Sequence, residues 1–178
     1  MRVVAGKHRG RRLGAPPGRA TRPTADRVRE SLFSILGPLD DLRVLDLFAG
    51  SGALGIEALS RGAAAVTFVE SDRRAAETIR ANLEALGEDG DVVARDALAW
   101  VRDAPAGTAF DLVLLDPPYD SADRLAIPLS ERLPGVLAAN ALIVSESDKR
   151  TPLILDFPLA DERTYGDTRI AIHRAGRD

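Results

Sequence analysis

Asp116, Pro117, Pro118 and Tyr119 follow directly on an apolar run from Leu112 to Leu115, so an acid, two rigid residues and a ring stand where a strand ends. Four consecutive apolar residues suit a parallel strand covered on both faces, since a half-exposed strand would alternate. Neither proline has a backbone N–H to donate, so the ladder stops there, and the fixed φ angles hold the neighbouring carbonyls outward. The Asp116 carboxylate and the Pro117 carbonyl are thereby offered as acceptors beside the Tyr119 ring. Two acceptors and a stacking surface suit a planar base that carries an exocyclic amine. The same four residues also make a plain strand terminator, and the choice between these roles depends on what else the chain carries.

A second constellation runs from Asp46 to Gly55, DLFAGSGALG, where a short apolar strand gives way to a helical stretch. Gly50, Gly52 and Gly55 have the G-x-G-x-x-G spacing, which provides a tight turn, close backbone approach to a ligand and close packing of helix on strand. Glu70 ends the next strand, 24 positions after Asp46, where a carboxylate accepts hydrogen bonds from both hydroxyls of a ribose. Up to this point NAD and S-adenosylmethionine fit equally. A dinucleotide would set its pyrophosphate against the turn, where Asp46 is electrostatically unfavourable. S-adenosylmethionine has no phosphate and carries an ammonium and a sulfonium, which Asp46 and a turn containing Phe48 suit. Asp96, at the end of the third strand, is placed to accept from the adenine amine, with the Ala97 amide as a donor to the ring. N-capping of the following helix by Asp96 is compatible with that role.

With a sulfonium methyl as electrophile, an exocyclic amine must be lined up behind the carbon although its lone pair is delocalised into the ring. Alignment supplies much of such a reaction's acceleration. Asp116 and the Pro117 carbonyl, accepting the two amine hydrogens, favour a pyramidal nitrogen and stabilise its growing positive charge. Tyr119 would stack on the base and hold it extruded.

The elements that must position these groups alternate along the chain. Strands are expected at Arg43 to Leu47, Ala65 to Glu70, Val92 to Arg95, Phe110 to Leu115 and Ala141 to Ser145. Helices are expected at Ala53 to Arg61, Arg73 to Leu86, Ala97 to Asp103, and Ser121 to Leu137 with interruptions at Pro128 and Pro134. This alternation predicts an α/β fold, an open and mostly parallel sheet with helices on both faces, whose ligand sits at the carboxyl ends of the strands near a reversal of strand order. Gly166 and Asp167, between Glu162 to Tyr165 and Thr168 to His173, predict an antiparallel C-terminal hairpin. Ahead of the sheet, Thr24 to Leu36 reads as a helix capped by Thr24 and ended by Gly37 and Pro38. Met1 to Ala5 and Arg11 to Ala15 read as a small hairpin around a basic tip. Residues 1–23 are accordingly an extension and connector, and residues 24–178 the main domain.

Composition narrows the partners. At 178 residues and 45% hydrophobic content the chain can bury one good core. It has no cysteine, and His8 and His173 are far apart in sequence, so no metal is expected. There is no signal-like opening and no apolar run approaching the ~20 residues of a membrane span, which predicts a soluble cytoplasmic protein, expected to be monomeric. The net charge of −3 hides an asymmetry: residues 1–24 hold seven of the 24 Lys and Arg and none of the 27 acids. Lys7, Arg9, Arg11 and Arg12 at the hairpin are therefore expected to contact phosphates, since basic side chains neutralise a polyanion and release its counterions.

DLFAGSG together with DPPY resembles the amino-methyltransferases of the class I S-adenosylmethionine-dependent, Rossmann-like fold. Four segments narrow the resemblance: MRVVAGKHRGRRL at the start, RPTADRVRESLFSIL at Arg22 to Leu36, DLFAGSGALGIEALSRGA, and YGDT at Tyr165 to Thr168. Together they are similar to the RsmD family, bacterial enzymes that methylate the 2-amino group of a guanine in 16S ribosomal RNA. The resemblance implies a seven-stranded sheet, an N-terminal hairpin extension and a substrate that is the assembled small ribosomal subunit. It also implies that Arg22, Thr24 and Arg27 face the substrate, although helix capping and ordinary surface pairing explain them as well. An adenine-N6 DNA methyltransferase would use the same tip, but the chain shows no separate base-reading domain. Methylation of a protein side-chain amide is disfavoured by the basic arm. A non-catalytic RNA-binding assembly factor would have no need of Asp46, Glu70 and Asp116 together.

Overall fold

A computed structural model describes residues 1–16 and 24–176, with only the backbone described at Thr24, Ala25 and Tyr119. Its elements are α1 (Thr24–Leu36), β1 (Arg43–Leu47), α2 (Ala53–Ser60), β2 (Ala65–Glu70), α3 (Arg73–Leu86), β3 (Asp91–Ala94), α4 (Ala97–Arg102), β4 (Phe110–Leu115), α5 (Ala122–Arg132), β5 (Leu137–Asp148), β6 (Leu159–Tyr165) and β7 (Thr168–Arg174). The strands form one seven-stranded sheet in the order β3-β2-β1-β4-β5-β7-β6. Pairing is parallel from β3 through β5 and antiparallel where β7 meets β5 and β6. The chain steps outward from β1 to β3, then returns to lay β4 on the other side of β1. That reversal opens a crevice at the carboxyl ends of β1 and β4.

Alternate residues of the central strands feed two apolar layers. Val44, Phe68, Leu112 and Leu114 pack with Leu32 and Phe33 of α1, Ile56 of α2 and Ile79 of α3. Leu45, Leu47, Val69, Val113 and Leu115 pack with Val101 of α4 and Leu129 of α5 on the opposite face. Burial on both faces is why these strands read as continuous apolar runs. At Gly55 an added Cβ would lie 2.3 Å from the Phe68 ring, so only glycine lets α2 sit this close to β2. Helix α3 starts on Asp72, whose side chain accepts from the Arg74 and Ala75 amides at 2.7 and 3.1 Å.

Three expectations are adjusted. Pro128 does not break α5, which continues to Arg132; the one intrahelical hydrogen bond it removes is outweighed by the buried Leu129 and Leu133 that hold the segment inward. Leu133–Val136 then forms a single 3-10 turn. Strand β5 is longer than Ala141 to Ser145 because β7 extends its pairing as far as Asp148↔Thr168. The N-terminal hairpin has one antiparallel bridge, Arg2↔Arg12, flanked by Val3 N→Arg11 O and Gly10 N→Val3 O, both 2.9 Å. Such a short ladder is held by what it docks on: Val3 and Leu13 are buried in the same core as α1 and α2.

Candidate active site

The glycine turn is fixed from beneath by two acids. Asp46 on β1 is 1% exposed, and its carboxylate accepts the Gly55 amide at 2.9 Å. Burial pushes the Asp46 carboxyl up to about 7; the Gly55 hydrogen bond opposes this, and the Asp116 and Glu70 carboxylates add to it. Glu70 at the end of β2 accepts the Gly50 amide at 2.7 Å through one oxygen and the Asp72 amide at 2.8 Å through the other. Between these anchors Phe48 takes φ 76°, a left-handed conformation uncommon for a bulky side chain. The Phe48 and Ala49 amides, at 3.1 and 3.0 Å from the Val69 carbonyl, hold it there.

Phe48, Glu70, Asp96, Ala97, Asp116 and Pro118 line one cavity of about 360 Å³ at the carboxyl ends of β1, β2, β3 and β4. Four successive strand ends thus converge on a volume within the ~300–1,000 Å³ range of small-molecule sites. Val69, Leu98 and Leu125 give it apolar wall, and Arg124 of α5 brings a cation to an otherwise acidic lining. Asp96 caps α4 by accepting the Ala99 amide at 2.9 Å through Oδ1, and among the described residues Oδ2 has no hydrogen-bond donor. The Pro118 carbonyl accepts both the amide and the hydroxyl of Ser121, at 3.0 and 2.5 Å; this turns the strand tip into α5 and fixes the residues on either side. Pro117 is buried, whereas Asp116 and Pro118 are exposed.

Asp46, Gly50, Gly52, Gly55 and Pro117 are not part of that lining. Asp46 acts beneath the turn, on the Gly55 amide. The side chain of Tyr119 is not described. Ser71, Ser121, Arg124 and Leu125 also line the cavity, although the sequence does not single them out; for α5 the one available signal is its position directly after the DPPY segment. Among the described residues no group of three or more His, Cys, Asp and Glu is placed to hold a metal.

The basic arm lies on the ends of α2 and α3. Glu57, fully buried on α2, accepts the Val4 and Ala5 amides at 2.7 and 3.0 Å and pairs with Arg61 at 2.8 Å. Arg29, also buried, reaches Glu57 at 3.6 Å, Asp26 at 2.8 Å and the Arg2 carbonyl at 2.5 Å. At the tip, Gly6 presses so closely on α2 that an added Cβ would lie 1.8 Å from the Ser60 carbonyl. Lys7 pairs with Glu88 at 2.7 Å, and His8 bonds the same carboxylate. Burial acts to raise the Glu88 pKa, but hydrogen bonds from His8 and Lys7 outweigh it and hold it below the usual range. Arg9, Arg11 and Arg12 are exposed, with Arg11 donating to the Ala85 carbonyl at 2.8 Å. Lys7 is exposed as well, but its charge is already paired with Glu88. Arg22 lies outside the described residues, the side chain of Thr24 is not described, and Arg27 is exposed on α1.

A family model described as "Conserved hypothetical protein 95" matches residues 1–174. Several relatives bear the name "Ribosomal RNA small subunit methyltransferase D". That of Escherichia coli K12 is 45% identical over 152 residues, covering 83% of this chain and 75% of its own. That of Haemophilus influenzae is 40% identical over 174 residues, covering 93% and 89%. A solved structure from Thermus thermophilus, titled as a hypothetical protein, superposes with a TM-score of 0.82 at 32% identity over 97% of this chain and 98% of that one.

Proposed function

The chain belongs to the family described as Conserved hypothetical protein 95, to which the small-subunit ribosomal RNA methyltransferases D are its relatives, and from that premise we propose that it methylates the 2-amino group of a guanine in 16S ribosomal RNA. We take the methyl donor to be S-adenosylmethionine and the substrate to be the assembled small subunit, bound by a monomer in the cytoplasm. Among the described residues no helix is long and apolar enough to cross a membrane.

The observation that carries this reading is the convergence of Glu70, Asp96 and Asp116 on one cavity at the sheet's reversal point. Three acids around a small cavity with a fourth, Asp46, crowded beneath them form a poor seat for an anion and a favourable one for a cation. Burial is the main cause of the upward shift of the Asp46 carboxyl, and the Asp116 and Glu70 carboxylates add to it; a ligand bearing an ammonium and a sulfonium offsets that added repulsion. When bound, S-adenosylmethionine supplies an electrophilic methyl group.

The protein's own residues do the rest. Glu70 accepts from ribose with the lone pairs that the Gly50 and Asp72 amides and the Ser71 hydroxyl leave over, Asp96 Oδ2 accepts from the adenine amine, and Val69, Leu98 and Leu125 exclude water. Asp116 and the Pro117 carbonyl orient the base amine and stabilise the positive charge that develops on its nitrogen. The Pro118 carbonyl is engaged by Ser121, and Pro117 is buried and outside the cavity lining, so the role of the Pro117 carbonyl as second acceptor rests on the sequence pattern. Arg9, Arg11 and Arg12 hold phosphates outside the cavity, so substrate shape contributes to selection.

The identity of the methylated atom tests this reading. Unmodified small subunits are incubated with protein and radiolabelled S-adenosylmethionine, and the RNA is digested to nucleosides. Label migrating with N2-methylguanosine is expected. Label on N6-methyladenosine would show that the tip positions a different amine.

A further inference from the structure

We propose that Asn82 is the positioning residue through which the basic arm and the glycine turn fix one another, so that RNA held by the arm and cofactor held at the turn each strengthen the other's binding. This rests on the function proposed above and adds to it an energetic link between its two ligands.

Asn82 lies on the inward face of α3 and is 6% exposed. Its Oδ1 accepts the Gly14 amide at 2.7 Å, and its Nδ2 donates at 3.1 Å both to the Gly14 carbonyl and to the Ser51 carbonyl. The amide can point only one way: turned over, it would set N–H against N–H and oxygen against two carbonyls. One side chain therefore closes a two-bond clamp on the arm and a third bond on the turn. Ser51 meets the arm a second time, its hydroxyl lying 3.5 Å from the Met1 sulfur. The next residue back, Gly50, donates to Glu70 at 2.7 Å, and Glu70 lines the cavity. Gly14 is thus joined to a cavity acid through Asn82, Ser51 and Gly50, each step a hydrogen bond or a peptide link.

Such a chain couples two sites only if both bias the same equilibrium. Docking of the arm is that equilibrium. It is an extension with a single antiparallel bridge of its own, and it keeps its place through contacts to α2 and α3. RNA that binds the docked arm favours the state in which Asn82 holds Ser51; cofactor that binds the ordered turn favours the state in which Asn82 holds Gly14. Linkage then makes the effect reciprocal. Leucine at this position would fill similar space but would leave the Gly14 amide and two carbonyls unpaired, so buried asparagine is what a strut between backbone segments requires.

The test measures S-adenosylhomocysteine binding, which involves no turnover, for wild type, Asn82→Ala and Asn82→Ser, alone and with unmodified small subunits. Thermal unfolding identifies folded variants. In wild type, particles are expected to tighten S-adenosylhomocysteine binding roughly fivefold or more; in the variants the factor is expected to fall below about twofold. A factor unchanged by substitution overturns the proposal. A second measurement needs no variant: S-adenosylhomocysteine alone is expected to slow hydrogen exchange in residues 1–16 of the wild type, and unaltered exchange there also overturns it. Methyl transfer to particles is followed in parallel. Transfer without coupling removes only this inference, whereas neither transfer nor particle binding removes the proposed function and this inference together.

Discussion

Glu70 accepts the Gly50 amide at 2.7 Å, so the acid that ends β2 and faces the cavity is also the acid that shapes the glycine turn. The same carboxylate accepts the Asp72 amide at 2.8 Å, which ties the turn to the start of α3. A carboxylate has about four lone-pair directions; the two amides and the Ser71 hydroxyl at 3.4 Å take three, which leaves one for a ribose hydroxyl and a second where ribose displaces Ser71. Glu70→Gln keeps the shape but sets an NH₂ group against a backbone N–H. Cofactor affinity is expected to drop about tenfold or more, the cost of ~1.5–3 kcal/mol for a lost charged hydrogen bond, as read by calorimetric titration. Wild-type affinity in this variant would remove Glu70 from the cofactor site.

Asp46 should make cofactor binding pH-dependent. Its folded-state pKa, raised to about 7 from 3.8, means that in the free protein the carboxyl is largely protonated below pH 7 and ionised above it. A cationic ligand favours the ionised form, so affinity is expected to rise with pH up to about 7 and then level off. The sign for folding is opposite. Because the folded pKa lies above the unfolded one, the carboxyl's contribution to stability is fully present below about 4 and is lost as pH climbs through about 7. Asp46→Asn retains an acceptor for the Gly55 amide and is expected to flatten both profiles, measured by cofactor titration and by urea unfolding from pH 5 to 8. Profiles unchanged by the substitution would show that another group titrates.

Asp116 is exposed and lies at the rim of the cavity, so its removal should separate chemistry from binding. Asp116→Ala is expected to change cofactor affinity by less than about threefold and to slow methyl transfer by roughly 10²–10³-fold, the range for loss of one preorganised charge-stabilising group. Single-turnover rates and calorimetric affinities on the same preparation decide this. Equal losses in both would place Asp116 in the cofactor site instead of at the reacting amine.

For the arm, the exposed Arg9, Arg11 and Arg12 are expected to bind phosphates, while Lys7 is paired with Glu88. Replacing the three arginines by alanine should reduce the slope of log affinity against log salt by about one for each phosphate interaction removed. Lys7→Ala should change the slope less. Filter binding of small subunits across a salt series makes the comparison, and a slope insensitive to the triple substitution would remove the arm from the RNA-binding surface.

The sheet and the strand-end acids are legible in the sequence because each leaves a local mark. Continuous apolar runs such as Leu112 to Leu115 signal strands buried on both faces, and Gly50, Gly52 and Gly55 signal a turn that side chains would obstruct. Tertiary contacts leave weaker marks. Glu57 reads as an ordinary polar position on a helix, yet it is fully buried and receives two arm amides; its one local hint is the apolar company of Ile56, Ala58 and Leu59. Asn82 gives no hint, because its partners Gly14 and Ser51 lie 68 and 31 residues away. Asp46 reads from its position before the turn as a partner for the ligand's cations, and only the folded geometry shows its bond to Gly55. Strand β5 reads short because pairing with β7 carries it to Asp148 and pairing of Leu137 with Phe110 of β4 starts it early, both beyond the stretch that is apolar.

The most direct test of methyl transfer to ribosomal RNA is label incorporation from S-adenosylmethionine into three substrates in parallel: small subunits lacking the modification, deproteinised 16S RNA and duplex DNA. Label is expected in the RNA of the assembled particle, with less in free RNA and none in DNA. Incorporation confined to DNA, or none anywhere by protein that binds the cofactor, would contradict the assignment.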